Sequence, residues 1–211
     1  MKKFLAISLI LALGASLHGL LFHNDLIGAF PEGQDRAQIE NHVIEGATHF
    51  FISKAHADLL FKEYEQSATA ELNKSQAAAH ADNALAELKL ALDNYHHAAD
   101  IAGRIGYVQD KRQHFKDFDY SQLAEHLNLD RHIAGQVESY LSRGDIVGIY
   151  QKNIDNLEAL AVTLGQIRDT LKSGGEPGIQ TVWTLVRQYS ETLLFGNYAT
   201  MMGTSAMAGN N

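Results

Sequence analysis

Pro31 and Pro177 are the only prolines in the chain, and between them apolar residues return every three or four positions with few breaks. Proline is the residue a helix interior tolerates least, because it lacks a backbone N–H and its ring collides with the preceding turn. A proline-free stretch rich in alanine, leucine and glutamate is therefore open to long helices. The short β-branched clusters lie inside the same helical spacing, so no strand is expected. The predicted fold class is all-α.

Five helical segments follow from the spacing. The first, 38–66, places Ile39, Val43, Phe50, Ala57 and Phe61 on one face. The second begins at residue 71 or 75 and runs to 102 through Leu85, Leu88, Leu92, Tyr95 and Ala99, before Gly103 and Gly106 break it. A third, 121–141, carries Leu123, Leu127, Ala134, Val137 and Leu141. Asp145 is the expected N-cap of the fourth, whose stripe of Ile146, Ile149, Leu157, Leu160, Leu164, Ile167 and Leu171 is the cleanest in the chain. It should end at Ser173, Gly174 and Gly175. Glu176 and Pro177 then open a fifth, through Val182, Trp183, Val186, Tyr189 and Leu193. Short links between long amphipathic helices favour antiparallel neighbours, hence an up-and-down antiparallel helical bundle of four to five helices over residues 30–202. Residues 203–211, small and polar, read as a flexible tail. The connection 103–120 is long and carries Tyr107, Phe115, Phe118 and Tyr120. Such a link either packs on the bundle, hides a short helix or serves as a partner surface.

Lys2 and Lys3 precede an apolar run from Phe4 to Leu13, and Gly14, Ala15 and Ser16 follow. That order is a secretory signal peptide, assigned to residues 1–19, and it places the protein in the periplasm or outside the cell. An uncleaved membrane anchor is the alternative, since apolar character resumes as far as Phe22. There is no cysteine, so no disulfide framework and no cysteine-linked haem can form. The chain carries 17 Lys and Arg against 25 Asp and Glu. An acidic surface disfavours nucleic acid and anionic lipid and mildly favours cations. Membrane contact is expected only if the N-terminal segment is retained.

His42, His49 and His56 recur at intervals of seven. Seven residues fall about 20° short of two helical turns, so the imidazoles form a stripe along one side of a helix. Its neighbours there are small or aliphatic rather than charged. Imidazoles with an occasional carboxylate suit Zn, Cu, Ni or Fe, and a helix offers two ligands to one ion at i,i+3 or i,i+4. Glu45 meets that spacing with His42 and with His49, which makes His49 the expected centre of the row. Histidines seven apart sit roughly 10 Å from each other, too far to share an ion, so each half-site needs ligands from another helix. His96 with Asp93 and Asp100, and His126 with Asp130, are the candidates; His97 points away on the wheel, and His80 could reach His56. The predicted metal set is His42, Glu45, His49, His56, His96, Asp100 and His126. A non-covalent haem between facing histidines is a further possibility for a bundle core.

Enzyme motifs are missing. A di-iron bundle needs Glu-x-x-His on two helices, whereas Asp93 to His96 has an aspartate there and Glu45 to His49 is one residue too long. The chain has no HExxH, GxSxG or phosphate loop. Met201, Met202 and Met207 could offer soft ligands to Cu(I). The expected function is therefore non-catalytic binding of a transition metal ion for sequestration, delivery or sensing. The alternative is a scaffold that binds another exported protein through the aromatic connection.

Overall fold

The computed structural model describes residues 26–67 and 71–208; residues 1–19, where a signal peptide is expected, lie outside the described residues. These form seven helices and no strand: α1 (Gln34–Gln66), α2 (Lys74–Ile105), α3 (Gln109–Asp117), α4 (Tyr120–His126), α5 (Arg131–Leu141), α6 (Ile146–Lys172) and α7 (Ile179–Ala208). The all-α expectation holds. None of the described helices is long and apolar enough to cross a membrane. Local chemistry accounts for the boundaries. Asn73, Asp119, Asp130 and Asp145 each accept a backbone N–H from the first turn of the helix that follows, as N-caps do. At the end of α6, Gly174 takes the left-handed conformation with φ of 83°. Gly174 N–H then donates to Leu171 O and Gly175 N–H to Thr170 O, closing the turn that glycine permits.

The four long helices pack in the order α1 on α2, α2 on α6 and α6 on α7. Two hydrophobic bands result. One joins Leu60, Ala77, Ala81, Leu88, Leu157, Leu160 and Leu164 with their neighbours on the long helices. The other gathers Leu26 and Phe30, the short helices and the last turns of α7, with Phe115, Tyr120, Val137, Leu141, Phe195 and Met202 buried together. On α2 the buried face is rich in alanine, which lets its neighbours approach closely.

Two expectations change, over 121–141 and 203–208, and the alternatives for 103–120 narrow to a packed link that hides a short helix. The single helix predicted over 121–141 is two helices, α4 and α5, because the chain turns at Asn128 with φ of 51° and Asp130 caps a new helix. The apolar residues stay in phase across that turn, so periodicity alone did not reveal it. The connection 103–120 contains α3, and its aromatics face inward: Phe115 and Tyr120 are buried, while Tyr107 and Phe118 pack against the same core. Tyr120 donates its hydroxyl to Phe115 O at 2.8 Å, and Val147 N–H donates to the Tyr107 hydroxyl at 2.9 Å. Residues 203–208, expected to be part of a flexible tail, continue α7 with Gly203 and Ala206 buried. Small residues here permit contact rather than motion, since a Cβ on Gly203 would collide with Leu26. Met202 and Met207 belong to this core as packing side chains.

Candidate metal centre

Each histidine of the α1 stripe meets a polar residue of α2. His42 Nδ1 lies 2.9 Å from Asn94 Oδ1, and His49 Nδ1 lies 2.7 Å from Glu87 Oε2. The His56 ring stacks on that of His80 with centroids 6.5 Å apart and planes at 30°. As the α1 number rises by seven the α2 number falls by seven, so the two helices run in opposite directions with their polar heptads in register. His80, Glu87 and Asn94 are themselves spaced by seven. That second heptad is the sequence signal for the partners, a faint one because only one of its members is a histidine.

Small residues bring this edge together. Gly46 of α1 sits so near α2 that a Cβ there would lie 3.0 Å from the Tyr95 ring and 3.4 Å from Ala91 O. Two turns on, the buried Ser53 hydroxyl donates to Ala84 O at 2.7 Å and accepts from the Tyr189 hydroxyl of α7 at 2.7 Å. Burial pushes the Tyr189 phenol well above its ordinary range, so it remains a protonated donor. Histidines at the rim of so close a contact stay half exposed.

The His42 end is the most developed. Asn94 Nδ2 donates to Leu90 O at 3.0 Å, which fixes the amide with its oxygen toward His42. His42 Nδ1 must then be the donor, and Nε2 keeps its lone pair. The His97 ring stands 5.2 Å from the His42 ring, centroid to centroid, at 36°. His42, His97, Asp100, Ile101 and Arg104 line one surface depression.

The predicted ligand set is thus redistributed. The His42 ring lies beside His97 rather than His96, although both are exposed. The reason is phase: His97 lies one turn from Asn94 on the edge that faces α1. Asp100, one turn further, borders the same depression. His49 is engaged by Glu87, and Glu45 is exposed on the outer side of α1. His56 reaches His80 as the antiparallel register predicts, and its Nδ1 is buried without a hydrogen bond. His126 ends α4, which packs on α5 and α7, and it is not brought to the stripe; Asp130, meant to join it, caps α5 instead. Among the described residues no group of three or more histidines, aspartates and glutamates has the geometry to hold a metal ion. What the edge offers is pairs.

No family model, curated protein or solved structure matches the chain.

Proposed function

We propose that this is an exported protein, built as an up-and-down bundle of its four long helices, that binds a divalent transition metal ion reversibly through His42 and His97, in a sequestering, delivery or sensing role. The observation that carries this reading is the His42–His97 pair, with ring centroids at 5.2 Å and His42 Nδ1 committed to Asn94. Two imidazoles bound to one ion at roughly 2.0–2.1 Å per nitrogen and near-tetrahedral angles have centroids about 5 Å apart. The pair already has that separation. Asn94 acts as the outer partner that fixes the tautomer of a metal-binding histidine and frees Nε2.

Two protein ligands leave the remaining positions to water or to a ligand brought by another molecule, which suits exchange better than permanent storage. Asp100 borders the depression and can add a carboxylate. With nitrogen ligands and open positions, Cu(II) should bind most tightly of the common divalent ions. The close α1–α2 contact at Gly46 favours a single ion over a planar macrocycle such as haem.

The test is calorimetric titration of the full chain with Cu(II) and Zn(II). His42→Ala and His97→Ala should each weaken Cu(II) binding tenfold or more, about 1.4 kcal/mol, while His96→Ala leaves it unchanged. Affinity should also fall as the solution is made acidic, because imidazole binds metal only when neutral. Equal small effects from all three substitutions would show scattered surface binding and end this reading.

A further inference from the structure

The depression beside His42 holds a charge that a metal bound by imidazoles cannot use. His97, Asp100, Ile101 and Arg104 of α2 line it together with His42 of α1. The four α2 residues follow a three-and-four spacing, so they form one edge of the helix, and helical side chains lean toward the N-terminus. Arg104, one turn past Asp100 and two past His97, therefore projects back toward the imidazoles.

Asp100 and Arg104 are four residues apart, a spacing at which opposite charges pair on a helix surface. Here they do not: neither has an ion pair or a hydrogen bond with another described residue. Both are exposed and border the space an ion would enter. Their uses there differ. A carboxylate can ligate a divalent ion. A guanidinium cannot, because it is always protonated, has no lone pair to give and repels the ion. The charges of Asp100 and Arg104 cancel, so neutral imidazoles leave the double charge of the ion uncompensated. A basic residue in the last turn of α2 also suits the helix dipole. That role is met anywhere around the turn and does not require a place on this depression.

What a guanidinium recognises is an anion, and its planar fork matches the two oxygens of a carboxylate. Building on the metal reading above, we propose that the ion is held together with a small dicarboxylate, which chelates the metal through two oxygens and turns its other two toward Arg104. The anion fills positions that His42, His97 and Asp100 leave open. It supplies the missing charge, and its two ends answer to the two kinds of group on the depression, ligand and donor. The cargo is then a metal chelate, and Arg104 separates it from the bare ion.

Oxalate is the simplest molecule with that arrangement and is the probe. The full chain, carrying an equivalent of Cu(II), is dialysed against radiolabelled oxalate, with copper-free protein as the parallel arm. Oxalate should be retained in proportion to bound copper, and hardly at all by the copper-free chain. Arg104→Gln should bind Cu(II) within about twofold of the wild type and hold oxalate about fivefold more weakly, the upper range for one exposed charged pair. Arg104→Lys, which keeps the charge and loses the fork, should recover only part of that difference. Equal retention by the wild type and Arg104→Gln would show that the metal alone holds the anion and would overturn the proposal. Equal retention by copper-free protein would mark a plain anion site and overturn it too. A chain that binds Cu(II) and retains no oxalate overturns this inference alone, whereas a chain that binds no Cu(II) overturns the metal reading and this one with it.

Discussion

Helix α2 has two neighbours and meets them with different chemistry. Toward α6 it shares the aliphatic band in which Leu88, Leu160 and Leu164 are wholly buried. Toward α1 it presents His80, Glu87, Asn94 and His97, half exposed or exposed, against a matching polar row. The first interface removes apolar area from water, at about 25 cal/mol per Å², and is tolerant of which aliphatic group fills it. The second contributes less energy and more specificity. A slip of seven residues would set His42 against Glu87 and His49 against His80, dissolving the pairs at both ends. Greasy contacts make α2 stable, and polar ones tell α1 where to stop.

The largest test of that contrast is alkaline titration. Tyr95 of α2, Tyr150 of α6 and Tyr189 of α7 are all raised above the ordinary phenol value of 10.0, chiefly by burial. A raised folded-state value means stability is intact below about pH 10 and is lost as pH climbs toward that value, at roughly 1.4 kcal/mol per pH unit for each tyrosine. Of the phenolate absorbance of the eight tyrosines followed from pH 8 to 12, the share of these three should therefore appear only as the circular dichroism of the helices is lost. Ionisation of all eight tyrosines while the helices persist would mean these three side chains are not sealed in the core.

Next in size is Leu160→Ala, which should cost about 2–5 kcal/mol in denaturant unfolding, since the side chain is fully buried among aliphatic neighbours. A loss under about 1 kcal/mol would show that the band is loosely packed. The smallest effect belongs to the polar interface. His49→Ala should cost only about 1 kcal/mol, and a double-mutant cycle with Glu87→Ala should recover a coupling of about that size or less, both side chains being about a quarter exposed. If His49→Ala costs as much as Leu160→Ala, the two interfaces do not differ in kind.

The long helices were legible because their signals are local. The α6 stripe, its Asp145 cap and its glycine stop can each be read within a few residues. The turn at Asn128 was hidden by apolar residues that stay in phase across it, although Asp130 is a cap residue by type. The turns after Met202 look unstructured because Gly203 and Ala206 are small, and only the arrival of Leu26, far away in sequence, makes small size a packing requirement. The histidine edge of α1 and α2 was half legible for a similar reason. A helical wheel shows that His42, His49 and His56 share a side, but not what the next helix turns toward them. Choosing His97 over His96 requires the rotation of α2, which its alanine face and Tyr95 determine through packing.

The contact of Leu26 with Gly203 also dictates a sequence of events. One lies at the start of the described chain and the other in the last turns of α7, yet both belong to the band that includes Phe115 and Met202. Val108 N–H reaches back to Ala29 O at 2.9 Å, tying the same early segment to the middle of the chain. A nascent polypeptide emerges from its N-terminus, so the first residues of this half of the core meet Tyr107 and Val108 well before they meet the turns of α7 around Gly203. The α1–α2 hairpin can form early from neighbours in sequence, whereas the end that holds Leu26 closes last.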